Sequence, residues 1–471
     1  MIFFGKVVFY KEITKFQICL VGLDKIVKIT LFVKCELTKL KILSVLSTKM
    51  FTFKVNCGMI IHIRGGDFMN IERGLYVDQI CKFMDNEQIK IITGIRRCGK
   101  SYMLNLIIDM LVASGVKEDH IIKIPMEDML YDHLRDGKKC HQFVIDKIID
   151  GDKYYILIDE VQLVDGWEQV VNSLRLRNTS VIITGSNSQI LSGELATLLS
   201  GRYVEFELRT IAFSEYFNSL KMSGSNVGIK DAFDYFVQNG GYPIILATNL
   251  EESQVSTIVA DIYHSTVLKD VVSKNGIKDE MLMGKLIDYL FDNVGNLISI
   301  RKIVDYLNSN GVKTNVQTIG NYIKALERAF VIEKVSRYDI KGKELLASID
   351  KYYVADHSLM YVRKGFSYEY IAQVMENIVY NELKRRGYKV YIGKFGEKEV
   401  DFIAEKSNNK VYIQVSYNIS NQETMKRELE PLQKIKDNYN KYIVTMDSLA
   451  KGNSEGIEFV YLPDFLLKKE L

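Results

Sequence analysis

The sequence has no long apolar run. None of its 471 residues belongs to an uninterrupted apolar stretch near the roughly 18 to 20 positions a membrane helix needs, so no membrane span is expected. The apolar start MIFFGKVVFYKEITKF is broken by Lys6, Lys11 and Lys15 and has no continuous core before a small-residue cleavage site, which argues against a secretory signal. The six cysteines, Cys19, Cys35, Cys57, Cys81, Cys98 and Cys140, contain no C-x-x-C pair and no metal-like spacing. A disulfide framework or zinc site is therefore not expected, and a reducing, cytoplasmic compartment is. Strong charge of one sign is also missing: 62 Lys+Arg stand against 59 Asp+Glu, a net +3. Eleven of the basic and four of the acidic residues fall in residues 1–68, leaving 51 against 55, so any nucleic-acid site must be a local patch. The length suggests two to four domains with real cores.

What is present centres on Lys90 to Leu104, KIITGIRRCGKSYML. Ile89, Ile91 and Ile92 suit a buried strand, and Met103, Leu104, Leu106, Ile107, Ile108, Met110 and Leu111 suit a helix stopped at Gly115. Between them Gly94, Gly99, Lys100 and Ser101 have the spacing G-x-x-x-x-G-K-[ST]. Such a loop turns its backbone N–H groups inward on phosphate. The expected nucleotide contacts are Gly94, Ile95, Arg96, Arg97, Cys98, Gly99, Lys100, Ser101 and Tyr102, with Lys100 on the β- and γ-phosphates and Ser101 on Mg²⁺. The bland alternative is a glycine turn with an exposed lysine.

Strand patterns follow at IIKIPMED (Ile121 to Asp128), YYILIDEVQ (Tyr154 to Gln162) and SVIITGSNS (Ser180 to Ser188). The second ends in two acids. Asp159 is placed to hold Mg²⁺ and Glu160 to orient and polarise the attacking water of an ATPase. Ser186 or Asn187 is expected beside the γ-phosphate, and Ser188 as a helix cap. Arg202 opens a fifth strand. It reads either as a cation on transferred phosphate, in cis or into a neighbouring subunit of a homo-oligomer, or as a surface arginine.

GIRRCGKS, LIDEVQ with a following GW, TGSNS, LSGRYVEFEL, SEYF and GGYP occur in that order. Together they resemble a prokaryotic family of AAA-type ATPases whose C-terminal half is a domain of unknown function, over about Met69 to the C-terminus. The resemblance implies an ATPase core with a helical lid; it implies no known substrate. The expected fold is α/β: a P-loop NTPase core over 69–209, a helical lid over 210–275, a winged helix over 276–366 and a restriction-endonuclease-like α/β domain over 367–471.

In the lid, Phe213, Tyr216, Phe217, Leu220, Ile258, Ile262 and Val267 recur at helical spacing and read as core rather than a base-stacking platform. Three helices then precede two strands joined across IKGKE, with Gly342 in the turn. The third helix, with Thr314 as its cap, would carry Asn315, Gln317, Thr318, Asn321 and Lys324 outward to DNA, and Lys341 and Lys343 would reach phosphate. The alternative is a winged helix used for protein contacts. Farther on, Glu376, Asp401 and the Gln414-Val415-Ser416 triplet look like a restriction-endonuclease core. An active one would carry Glu-x-Lys where Gln414 and Ser416 stand, because carboxylates hold Mg²⁺ and a lysine activates water. Lys398 or Lys410 is the candidate replacement; without one the domain recognises rather than cuts.

These readings make an ATP- and Mg²⁺-dependent ATPase that couples nucleotide state to a partner, DNA or a protein, with an ATP-gated nuclease as the competing enzyme. Residues 1–68 stand apart: basic, β-branched and without caps. Arg64-Gly65-Gly66-Asp67 can be encoded by AGA-GGA-GGT-GAT, a purine-rich ribosome-binding sequence before Met69, so translation is expected to start at Met69. The alternative is a basic arm that touches nucleic acid or membrane. N-terminal sequencing of the native protein should begin at Met69; peptides from before it would reject this reading.

Overall fold

The computed structural model describes residues 50–54, 60–64, 71–149, 151–186, 198–248, 250–362 and 364–471. Within the N-terminal segment, strands β1 (Met50–Lys54) and β2 (Ile60–Arg64) pair antiparallel, and the rest of residues 1–70 lies outside the described residues.

Five strands, β3 (Ile89–Thr93), β4 (Ile121–Pro125), β5 (Tyr154–Asp159), β6 (Thr179–Thr184) and β7 (Tyr203–Glu207), form a parallel sheet in the order β4-β5-β6-β3-β7. Their apolar runs are continuous because helices cover both faces. Ile89, Ile91, Ile156, Ile158, Val181 and Ile183 join one core with Val144, Trp167, Val171 and Leu174. Ile92, Leu157 and Ile182 point the other way, onto Leu104, Ile107 and Leu111 of the helix Lys100–Ala113. Lys90 is a charged residue buried in this sheet. Its ammonium bonds Asn86 O at 3.2 Å and Ser180 Oγ at 3.0 Å, and burial pushes its pKa down to about 8.

Helices then dominate from Phe213 to Ser273: Phe213–Met222, Ile229–Asn239, the short Pro243–Leu246, Glu252–Ser265 and a π-helical turn Thr266–Ser273. Phe213, Tyr216 and Phe217 are buried, so they are core and not a stacking platform.

Three more helices follow, each started by a side chain that accepts from the first turn. Asp279 caps Glu280–Asp292, Ser299 caps Ile300–Ser309 and Asn315 caps Val316–Arg328. The cap expected at Thr314 is thus one residue later, because Asn315 Oδ1 accepts from Thr318 N–H at 2.9 Å. Strands β8 (Ile332–Asp339) and β9 (Glu344–Val354) form the hairpin, and Ile298 bridges Asp350 beside it. Lys343 takes the left-handed backbone at the turn, at φ 56°, in place of Gly342.

This hairpin does not stand free. β8 pairs in parallel with β10 (Lys389–Phe395), which continues through β11 (Lys398–Lys406), β12 (Asn409–Ser416), β13 (Asn440–Thr445), β14 (Gly452–Ser454) and β15 (Ile457–Tyr461). The result is one eight-stranded mixed sheet, β14-β15-β13-β12-β11-β10-β8-β9, with the helix Ile371–Arg385 packed on it.

A buried ionic cluster ties the first sheet to the second. Arg73, 2% exposed, bonds Glu215 Oε1 at 3.1 Å, Cys98 O at 3.3 Å and Arg209 O at 2.7 Å. Arg209, at the end of β7, pairs with Glu207 at 2.8 Å, with Glu333 of β8, and with Asn381 Oδ1 at 2.6 Å. Burial would raise the Glu333 carboxyl, but Arg209 and Lys384 hold it at about 2. Its contribution is full above the unfolded value near 4.5 and is lost as pH falls through the folded value. Breaking a buried pair leaves a charge with no partner, so Arg73→Met should lower stability by about 3–5 kcal/mol in urea unfolding. A loss under about 1 kcal/mol would show that the cluster holds little.

Candidate functional site

The carboxyl ends of β3, β5 and β6 meet at one place. β3 runs into the loop Gly94 to Gly99, and the helix Lys100–Ala113 starts from Gly99 at φ 102° with no side-chain cap. Gly94 has φ 141°, and a Cβ there would lie 2.2 Å from Leu208 O, so only glycine fits. Ile95 and Cys98 are buried below the loop, Arg97 is exposed with φ 68°, and burial raises the Cys98 thiol pKa. Lys100 is 5% exposed, and its ammonium is held by Gly94 O at 3.1 Å and Ile95 O at 3.2 Å. Ser101 and Tyr102 are exposed on the first turn. A helix start with uncapped N–H groups and a lysine folded over the loop carbonyls is the arrangement a phosphate chain fits.

The acids lie across from this loop. β5 and β6 pair with Ile158 opposite Ile183, which sets Asp159 level with Thr184. Thr184 Oγ1 donates to Asp159 Oδ1 at 2.5 Å and accepts from Glu160 N–H at 2.9 Å. Glu160 takes a left-handed backbone, φ 51°, and its carboxylate accepts from Gln162 Nε2. One threonine therefore fixes both acids. The motif TGSNS points to its later members, and a threonine at a strand end carries no spacing signal of its own. Ser186 is buried, and its hydroxyl has no hydrogen-bond partner among the described residues, which leaves it available to a ligand. Asn187 and Ser188 lie outside the described residues.

Arg202 is elsewhere. Ile89 N–H bonds Arg202 O at 2.9 Å, so this arginine is level with the first residue of β3, about 16 Å of strand from the loop. Its guanidinium bonds Asn172 Oδ1 and Leu198 O, both at 3.2 Å, and is exposed. The cis contact with phosphate expected of Arg202 is not supported by this position; a cation offered to a neighbouring subunit and a surface arginine are the readings it leaves.

Two connections leave the loop. Arg96 Nε pairs with Asp270 Oδ2 at 3.0 Å, and Lys274 takes the other oxygen at 2.7 Å. Asp270 is fully buried in the π-helical turn, a local widening often found at functional positions. The second connection runs through the GGYP segment. A Cβ on Gly99 would lie 3.3 Å from Pro243 Cγ, Gly241 O accepts from Ile211 N–H at 2.7 Å, and Gly241 N–H donates to Asp356 Oδ2 at 2.8 Å. The phosphate loop thus touches the segment Leu208 to Ile211, which touches the C-terminal half.

The chain is similar to known proteins over most of its length. A sequence profile described as "AAA domain" matches residues 86–217, and one described as "Domain of unknown function (DUF8612)" matches residues 230–369. An uncharacterized protein of Haemophilus influenzae is 38% identical over 403 residues, covering 84% of this chain and 99% of that protein. An uncharacterized protein of Methanocaldococcus jannaschii is 30% identical over 398 residues, covering 80% of this chain and 85% of that one. The chain belongs to this prokaryotic family, which joins an AAA-type ATPase domain to a C-terminal domain of unknown function. Among solved structures, a Walker-type ATPase of Pyrococcus abyssi matches at 15% identity and TM-score 0.36, covering 62% of this chain and 95% of that one. The Aeropyrum pernix ORC1 protein, solved in complex with DNA, matches at 12% identity and TM-score 0.30, covering 62% and 91%. Among the described residues no helix is long and apolar enough to cross a membrane.

Thr184 supports Asp159 and Glu160 from behind. Thr184→Val should therefore lower ATP turnover about 10–100-fold, the usual cost of losing an outer-layer partner, while ATP affinity changes far less. Unchanged turnover would separate the two acids from the chemistry.

Proposed function

We propose that the chain binds and hydrolyses ATP and uses nucleotide state to change how its C-terminal half engages DNA. The observation that carries the reading is the joint at Leu208 to Ile211, which abuts the phosphate loop on one side and Asp356 and Glu333 on the other. On this reading the loop N–H groups and Lys100 bind the phosphates, and Glu160, fixed by Thr184 and Gln162, orients the attacking water and takes up its proton. Ser101 and Asp159 would hold a metal, a hydroxyl in the first turn of the helix and a carboxylate already oriented by Thr184. Bound Mg²⁺ there would neutralise charge on the phosphates. Arg202 would act from a neighbouring copy in a homo-oligomer.

The DNA-facing element is the helix Val316–Arg328 of a winged helix. Three capped helices, a hairpin and the Ile298–Asp350 bridge support that assignment. Gln317, Asn321 and Lys324 are exposed along one side, whereas Asn315 spends its carbonyl on the cap and Thr318 is half-buried. In the wing Lys343 is exposed, and Lys341 lies over the Phe395 ring at 4.8 Å. Because the wing is part of the eight-stranded sheet, winged helix and nuclease-like region would meet a duplex as one body.

ATP hydrolysis by the full chain, with and without duplex DNA at low salt, tests this. Turnover should rise with DNA and fall at least about 10²-fold in Glu160→Gln. Lys100→Ala should lose ATP affinity. Full turnover in Glu160→Gln would overturn the catalytic assignment. Turnover indifferent to DNA, with no gel shift, would favour a nucleotide-switched protein-binding module.

A further inference from the structure

The second sheet holds a charged centre that the ATPase reading does not use. Glu376 on the helix Ile371–Arg385 and Asp401 on β11 converge, as the restriction-endonuclease resemblance implies, and Glu399 joins them. The residues that would complete such a centre are committed elsewhere. Gln414 Oε1 accepts from Asp401 N–H at 3.3 Å, and its Nε2 donates to Glu428 Oε2 at 2.8 Å, a bond a glutamate could not make. Ser416 Oγ faces Asn418 O at 3.5 Å. Neither expected replacement lysine is present: Lys398 pairs with Glu430 at 2.9 Å and Lys410 with Glu405 at 2.7 Å.

The positive charge comes instead from β9, outside the nuclease-like segment. Lys351 is 3% exposed, and its ammonium lies 2.9 Å from Glu376 Oε1, 2.7 Å from Glu399 Oε1 and 3.8 Å from Asp401 Oδ1. Tyr353, two residues on along the same face of β9, donates to Glu376 Oε1 at 2.6 Å, and Val415 N–H donates to Asp401 Oδ2 at 2.8 Å. Gly295 closes the approach, since a Cβ there would lie 2.9 Å from Glu376 Oε2. Burial lowers the Lys351 pKa, but Glu376, Asp401 and Glu399 more than offset that and raise it, while burial and Glu376 push the Asp401 carboxyl up.

A hard divalent cation binds at a point that several carboxylate oxygens share. Here that point holds an ammonium, and a second cation beside it would be repelled. Among the described residues no three acidic, His or Cys side chains are spaced to hold a metal. We propose that Lys351 is a resident cation standing in for the divalent metal of a nuclease-like centre. The centre is then an ionic clamp: it locks the wing strand β9 to β11 and the helix Ile371–Arg385, and it cuts nothing. The inference is independent of the ATPase reading, because it concerns charges that never meet nucleotide.

The test uses the full chain without nucleotide. Mn²⁺ binding is followed by electron paramagnetic resonance, melting with and without EDTA or 1 mM Mn²⁺ by scanning fluorimetry, and DNA cleavage in Mn²⁺ on a gel. The wild type should bind no Mn²⁺ that Asp401→Asn removes, melt at one temperature in EDTA and Mn²⁺, and leave DNA intact. Lys351→Ala should melt lower, and Mn²⁺ should restore part of the loss as the freed carboxylates close on it; Lys351→Ala with Asp401→Asn should show no such recovery. If Lys351→Ala does not fold, Glu399→Gln supplies the stability arm, with a lower melting temperature that Mn²⁺ does not move. Stoichiometric Mn²⁺ on the wild type lost in Asp401→Asn, or wild-type cleavage lost in Lys351→Ala, would overturn the clamp and make Lys351 a catalytic lysine.

Discussion

A single buried guanidinium organises the joint between the two halves of the molecule. Arg73 reaches the carbonyls of Cys98, in the phosphate loop, and of Arg209, at the end of β7, while Glu215 balances its charge from the first helix after the sheet. Taking that charge out of water costs several kcal/mol, and only geometry satisfying most of its donors offsets the cost. The loop, the strand end and the helix must therefore stay in register with one another. Arg209 repeats the arrangement one step outward, onto Glu333 and Asn381 of the C-terminal half. A loop that binds phosphate is thus built on the same few atoms that hold the second sheet.

This explains why several glycines cluster where the halves meet. Gly94 leaves room for Leu208 O, and Gly240, at φ 81°, leaves room for Asp356 Oδ1, which a Cβ would approach to 2.3 Å. Backbone packed this closely leaves little room to absorb a shift at the loop. The Arg96–Asp270 pair gives the helical region a separate contact with the loop, through a fully buried acid in a π-helical turn. Two routes leave one site. One leads to the helices beside it, the other to the C-terminal half.

The local elements could be read from the sequence because their patterns are short-ranged. Strands, caps and the G-x-x-x-x-G-K-S loop each fall within about a dozen residues, and the order of motifs carried the family. Long-range pairings were not legible. Nothing in ASIDKYYVAD says that Lys351 meets carboxylates 25, 48 and 50 positions later, although a lysine among β-branched and aromatic neighbours is a weak sign of a buried partner. The hairpin β8–β9 was visible; its parallel pairing with β10 was not, because parallel strands leave no turn to read. The distance of Arg202 from the loop of its own chain has a related cause. Its position after a leucine-rich segment indicated a strand start, and a strand start lies at the end of the sheet away from the loop.

The central claim is that nucleotide at the phosphate loop is felt in the C-terminal half through Leu208 to Ile211. Hydrogen exchange of the full chain, with and without a non-hydrolysable ATP analogue, measures this directly. The account predicts altered exchange at 94–101 and also at 208–211, 240–243 and 332–339, with the change at 332–339 lost in Arg209→Gln. Changes confined to 94–101 and 159–162, the same in both proteins, would contradict it.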